Sequence, residues 1–200
     1  MTDPTVPIQP TILYFGTPVV LVTTENPDGI FNITPISSAW ALGNHVVLGL
    51  GEGSRGLANL RERGECVLNL PADEAWQRVE ALAPTTGMDP VPMEKQPVFH
   101  FTADKWAVAG FTPRASHRVR PPRIAECPLQ LEAAAVRIVD TSSSVAFAIV
   151  EVEVLTVHAH ADLVADGHHI RPEVWRPLIY NFRHYFGLGP HLGKTIRAER

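Results

Sequence analysis

The sequence lacks most of the features that assign a protein quickly. Only Cys66 and Cys127 are present, far apart and outside any C-x-x-C spacing, which excludes a disulfide scaffold and a structural zinc box and suits a reducing compartment. No stretch approaches the roughly 18 consecutive apolar residues of a membrane span. The first ten residues carry Asp3 and three prolines where a secretory signal needs basic residues and then an apolar run, so the expected location is cytoplasmic. Positive charge is not in surplus either: 17 Lys and Arg stand against 21 Asp and Glu, a net charge of −4. With a pI near 6.1, the chain has no electrostatic footprint for nucleic acid or an anionic membrane. Neither a G-x-S-x-G elbow nor paired carboxylates at catalytic spacing occur, so nucleophilic and acid–base hydrolysis lack their signatures.

What is present describes a globular chain. At 200 residues and 45% apolar composition, one compact domain over 1–200 buries roughly 70% of its unfolded surface. Pro18 to Thr24 is short and β-branched, Asn26-Pro27-Asp28-Gly29 is a turn, and Ile30 to Thr34 resumes the strand pattern, giving a hairpin. Pro35 to Ala41 leads into a strand at His45 to Leu50, and another strand follows at Glu65 to Leu70, ended by Pro71. Ala72 to Ala83 reads as a helix with Trp76, Val79 and Leu82 on one face. Residues 84–126 are rich in proline and poor in periodicity, and read as loops with short strands and a small lid. Cys127 to Val139 and Val145 to Val157 alternate strictly, so they form a long antiparallel hairpin turning at Thr141 to Ser144. Six or so strands, mostly antiparallel, with two or three short helices predict a mainly β (α+β) fold, a small closed or split β-barrel.

The most informative stretch is Gly49 to Gly56, G-L-G-E-G-S-R-G, which joins the His45–Leu50 strand to a short helix through four glycines. Its backbone can approach an anion closely, Ser54 stands at the helix N-cap, and Arg55 adds a charge beside the unpaired N–H groups of the first turn. The competing reading is a plain Gly-rich turn with a capping serine. Gly51-x-Gly53-x-x-Gly56 matches a dinucleotide fingerprint, and Asp73 falls near its acidic position. The helix, however, is cut at Gly64, and nothing after residue 90 repeats βαβ units, so the match is accidental. No Gly-Lys-Ser/Thr follows for a Walker loop. His158-x-His160 with His168-His169 lacks the carboxylate spacing of a metal site and reads as a strand edge with exposed histidines. Arg114, His117, Arg118, Arg120 and Arg123 read as a solvated basic loop, with nicotinamide phosphates as the alternative ligand.

Four blocks in order carry a resemblance: P-V-V-L-V-T-T with D-G-I-F-N-I-T-P-I-S-S; G-L-G-E-G-S-R-G-L-A-N-L-R-E-R-G-E-C-V-L-N-L-P; R-P-P-R-I-A-E-C-P-L-Q-L-E; and R-P-L-I-Y-N-F-R-H-Y-F-G-L-G. Together they span nearly the whole chain, which resembles the flavin reductase-like family with an FMN-binding split barrel. The resemblance implies FMN at a homodimer interface, with Asn32, Thr34, Pro35, Ile36, Ser37 and Ser38 along the flavin ring. It places the phosphate near Gly51, Gly53, Ser54, Arg55 and Asn59. Thr34, Ile36, Ser37 and Ser38 supply N–H or hydroxyl donors suited to a reduced flavin, and the competing reading is ordinary strand-end hydroxyls. Many relatives carry Thr where this chain has Gly56, so one phosphate donor is lost. Arg183, His184 and Tyr185 are expected to position a nicotinamide or other substrate, while the alternative has Phe182 and Phe186 anchoring the tail across a dimer.

The implied activity is an NAD(P)H-dependent flavin reductase, using FMN (or FAD or riboflavin as substrate), passing hydride from NADH or NADPH to flavin N5 and electrons to a partner monooxygenase or another acceptor. Three readings stand beside it: an FMN electron carrier, a pathway-specific FMN oxidoreductase, and a ligand-binding module without turnover.

Overall fold

The computed structural model describes residues 4–141 and 146–195. Its frame is a seven-stranded, wholly antiparallel sheet built from β2 (Val20–Glu25), β3 (Phe31–Ile36), β4 (Ala39–Leu42), β5 (His45–Gly51), β6 (Glu65–Leu70), β7 (Leu129–Asp140) and β8 (Phe147–Ala159). The spatial order is β3-β2-β6-β7-β8-β5-β4. The two outermost strands, β3 and β4, are therefore consecutive in the chain and joined only by Ser37 and Ser38. Two residues reach at most about 10 Å, so the sheet coils until its edges nearly meet. No ladder pairs β3 with β4 among the described residues, which makes this a split barrel.

Alternation explains the packing. Val20 and Val22 of β2 point into the barrel with Leu48, Leu50, Leu68, Val150 and Val152. Val19 and Leu21, which alternate with them, meet a second core with Ile33, Val79, Leu82, Phe111, Ile124 and Leu178. β2 is thus buried on both faces, as its continuous apolar run requires. Helix α1 (Arg55–Arg63) plugs the barrel with Leu57 and Leu60. It ends at Gly64, which adopts φ 71° while its N–H donates to the Leu60 carbonyl, a left-handed cap open to glycine at little cost.

Several expectations change in detail. The first strand is two pieces, β1 (Phe15–Pro18) and β2. Residues expected to lead into β5 form the short edge strand β4. The 72–83 helix is a 3₁₀ turn followed by α2 (Trp76–Leu82), and Trp76 is 44% exposed rather than facing the core with Val79 and Leu82. Within 84–126 lies α3 (Lys105–Ala109), bracketed by the Asp104 N-cap and Gly110 at φ 65°. The tail forms a hairpin of β9 (Ile179–Asn181) and β10 (His184–Phe186) that pairs with β1. The long β7–β8 hairpin is present, but residues 142–145 of its expected turn lie outside the described residues. No helix among the described residues is long and apolar enough to cross a membrane.

α3 docks on β3 through two side-chain donors: Lys105 Nζ to the Ile33 carbonyl (3.0 Å) and Trp106 Nε1 to the Phe31 carbonyl (2.8 Å). Lys105 is 4% exposed. Burial, reinforced by the Lys95 charge, pushes its amine down to about 8 from an ordinary 10.5. The native state therefore binds fewer protons than the unfolded chain between about pH 8 and 10.5, and stability from this group rises with pH across that window. In urea unfolding at pH 7, 9 and 10.5, the stability of the parent chain minus that of Lys105→Met is expected to rise by up to roughly 3 kcal/mol. A flat difference contradicts the buried amine. Gly64→Ala is expected to lower stability by about 1 kcal/mol at any of these pH values, and an unchanged unfolding midpoint contradicts the left-handed cap.

Candidate functional site

A cavity of about 660 Å³ opens along the seam of the split barrel. Thr34, Pro35 and Ile36 at the end of β3 form one lip, with Ser37 and Ser38 in the seam and Gly49 to Gly51 at the end of β5. Ser38 is pinned to β5 by two bonds: Gly49 N–H donates to its carbonyl (2.8 Å) and its Oγ donates to the Gly49 carbonyl (2.7 Å). A Cβ at Gly49 would lie 3.1 Å from Ser38 Cβ, a tight contact that Ser38 would have to yield to by a few tenths of an ångström, so the close approach favours glycine there.

The floor at one end is the N-terminus of α1. Ser54 is its N-cap, with Oγ accepting from Leu57 N–H (3.3 Å) and its own N–H donating to the Gly51 carbonyl (3.0 Å). The first-turn N–H groups and the helix dipole make this end attractive to an anion. Arg55 follows, its Nε donating to the Gly87 carbonyl (2.9 Å). Gly56 packs on Thr34: an added Cβ would meet Thr34 Oγ1 at 2.6 Å. The Thr34 hydroxyl thus occupies the space into which a side chain at 56 would project, and a hydroxyl stands beside the helix start despite Gly56.

The segment 84–126 and the tail complete the walls. Lys95 Nζ donates to the Gly53 carbonyl (2.6 Å), and a Cβ at Gly53 would run into the Glu94 carboxylate. Burial lowers the Lys95 amine as well. Phe99 and Lys105 line the same space. Tyr14, Tyr180 and Tyr185 form an aromatic side, with ring centroids 5.4 Å apart for Tyr14 and Tyr180 and 5.6 Å for Tyr180 and Tyr185. Tyr185 Oη donates to Glu80 (3.0 Å), and burial together with that carboxylate pushes its phenol well above the ordinary range. The β9–β10 turn holds Phe182 at φ 45° and Arg183 at φ 69°. Left-handed backbone at two adjacent non-glycine residues is uncommon and marks a constrained tip.

Charge is the most telling property of this cavity. Arg55, Lys95, Lys105 and Arg183 line it against a single carboxylate, Glu80. None of the four cations has an ion-pair partner within 4.0 Å among the described residues. In a chain of net charge −4 that concentration is local, offset only in part by Glu80 and by Glu94 beside Lys95, and it suits an anionic ligand.

Of the residues singled out from sequence, Thr34, Pro35, Ile36, Ser37, Ser38, Gly51, Ser54, Arg55, Arg183 and Tyr185 share this cavity. Four do not line it. Asn59 turns away from the helix start: it is 1% exposed, with Nδ2 donating to Thr24 Oγ1 and Asn26 Oδ1 (both 2.9 Å). Asn32 donates to Thr34 Oγ1 (2.9 Å) and faces a smaller hollow with Arg55 and Gly87. Gly53 is covered by Glu94 and Lys95. His184 lies in a neighbouring cavity of about 700 Å³ with Trp76, Arg176 and Phe186, into which Arg183 and Tyr185 also reach. Sequence reading missed Lys95, Lys105, Tyr14 and Tyr180. For Lys105 a signal was available, since Asp104 and Gly110 bracket a one-turn helix. The histidines also differ from the expected exposed edge: His158 is half-buried against Glu132 and His160 meets the Ala125 carbonyl, while His168 and His169 are exposed.

Comparison with known proteins agrees with this architecture. The chain is 47% identical over 195 residues to the uncharacterised protein YdfE of Bacillus subtilis (strain 168), covering 96% of this chain and 93% of that one. Among solved structures it is similar in fold to the flavoredoxin of Desulfovibrio vulgaris (Miyazaki F), with a TM-score of 0.76, 19% identity and full coverage of both chains. It is likewise similar to nitrilotriacetate monooxygenase component B from Bacillus cereus, with a TM-score of 0.74 and 18% identity over 92% of this chain and 90% of that one. The model of the flavin reductase like domain matches residues 12–189, and on that match the chain belongs to the flavin reductase-like family.

Proposed function

We propose that the chain is an NAD(P)H-dependent flavin reductase holding FMN in the seam cavity. The observation that carries this reading is the set of four cations lining a cavity that also contains a helix N-terminus and a row of strand-end donors. The residues suit a flavin mononucleotide: Ser54, Arg55 and Lys95 would hold the phosphate, and Thr34, Ile36, Ser37 and Ser38 would face the polar edge of the ring. Bound flavin supplies the capacity to accept hydride from a nicotinamide and hand on its electrons. The protein's part is to orient and to stabilise charge, which needs no side-chain acid or base. Lys105, dry and short of a counter-ion, is suited to an anionic ring edge. Arg183 and Tyr185, reaching into both cavities, are suited to guide a second ligand toward the seam, with His184 on its far side.

The reading extends to assembly. Edge strand β4 leaves Trp40 and Leu42 60% and 75% exposed, and Phe182 and Phe186 are 45% and 51% exposed, apolar surface that a second copy in a homodimer would cover. Likeness to a monooxygenase component supports an oxygenase as the electron acceptor. Two buried, unpaired cysteines suit a reducing cytoplasmic setting.

The test is a visible spectrum of the protein with FMN, to which NADH and then NADPH are added without oxygen. Bleaching of the flavin band at a protein-dependent rate is the expected result. A bound flavin that stays oxidised with both nicotinamides overturns the reductase reading in favour of an electron carrier, and no bound flavin overturns both. Arg55→Ala and Lys95→Met are each expected to weaken FMN about 10- to 100-fold while leaving riboflavin nearly unchanged. Equal losses for the two ligands in a fluorescence titration contradict the phosphate assignment.

A further inference from the structure

A second cluster lies where the loop before β7 meets the hairpin. Glu132 of β7 is wholly buried, at a bulge in the β7–β8 register between Glu132 and Ala133. Its carboxylate accepts from the backbone N–H groups of His117 (2.8 and 3.0 Å) and Arg118, and lies 2.6 Å from His158 Nε2. Burial alone would raise this acid, but the two backbone donors and His158 outweigh it and hold it below the ordinary carboxylate range. Arg123 Nε is 3.9 Å away, and that guanidinium is engaged by the Ala115 carbonyl and Gln130 Oε1. The His117 ring stands at 85° to that of His158, centroids 4.8 Å apart, and its nitrogens have no hydrogen-bond partner among the described residues. One ligand atom from each of His117, Glu132 and His158 lies within 4.8 Å of the other two.

We propose that His117, Glu132 and His158 form a three-ligand site for a zinc-class divalent transition metal, with a fourth position open to solvent. Two imidazoles and one carboxylate select such an ion over magnesium or calcium, which prefer all-oxygen shells. At bond lengths of about 2.0–2.2 Å, tetrahedral ligands stand roughly 3.3 Å apart. His158 Nε2 and Glu132 Oε1 need to separate by less than about 1 Å to reach that spacing, and the exposed His117 side chain is free to swing inward. The metal takes the place of the hydrogen between the pair: His158 ligates through Nε2 as the Nδ1–H tautomer, so a neutral ring moves its single proton to Nδ1, whereas a ring carrying both protons releases the Nε2 proton to solvent. The backbone donors from His117 and Arg118 fix the carboxylate as an outer shell does in established sites. The nearby Arg123 charge opposes the cation and weakens the site. A bound ion would staple the loop carrying His117 to β7 and β8, and this inference stands apart from the flavin reading.

The test uses the full chain freed of metal with a chelator that is then removed. Zn²⁺ titrated calorimetrically is expected to bind one equivalent at micromolar Kd, and Co²⁺ to develop the visible absorption of a four-coordinate ion. His117→Ala is expected to weaken both by about 10- to 100-fold, and His158→Gln more, while His168→Ala changes neither and Mg²⁺ does not compete. Glu132→Gln removes a buried acceptor and is liable to unfold the loop, so the exposed His117 carries the decision. Zinc binding no tighter than millimolar, or binding unchanged in His117→Ala, overturns the site.

Discussion

Two residues, Ser37 and Ser38, join strands that lie at opposite edges of a seven-stranded sheet. That link is the constraint from which the site follows. Because so short a bridge cannot cross a flat sheet, the sheet must coil, and because the edges meet without pairing, a seam remains. Edge strands leave backbone donors and acceptors unpaired. Here the end of β3, with the hydroxyls of Thr34 and the two serines, lines a cavity. Gly49 permits the close contact that holds Ser38 against β5. The α1 N-terminus arrives at the same place because the glycine-rich loop turns the chain sharply from β5 into the barrel plug.

The electrostatics come from elsewhere in the chain. Arg55 opens α1, but Lys95 and Lys105 come from the aperiodic middle segment and Arg183 from the tail hairpin. Each amine is held by a backbone carbonyl rather than a carboxylate, Lys95 by Gly53 and Lys105 by Ile33. A carbonyl orients an ammonium without neutralising it, so the charge stays available to a ligand. Burial lowers both amines, and an anion entering the cavity would raise them again. For Lys105 this couples anion binding to proton uptake at about pH 8 and above, not at neutral pH.

The parts legible in the sequence were those governed by local pattern. Strict alternation in Val150, Val152 and Val154 placed β8, and the glycine run with Ser54 placed the helix start. Long-range geometry was not legible. Nothing local indicates that Trp76 faces Tyr185 instead of the core, or that Asn59 spends its amide on Thr24 and Asn26 across the barrel. His158 was grouped with its sequence neighbours His160, His168 and His169, whereas the fold pairs it with Glu132 and His117 from other segments. Lys105 was obscured because a one-turn helix is too short to show periodicity.

The central claim is that the seam cavity holds FMN chiefly through a phosphate seat built from the α1 N-terminus, Arg55 and Lys95. The most direct measurement is the affinity of the unaltered chain for FMN and for riboflavin at low and high salt. The account predicts that FMN binds more tightly and that its advantage shrinks as salt rises. Equal affinity for the two ligands, or an advantage indifferent to salt, would contradict it.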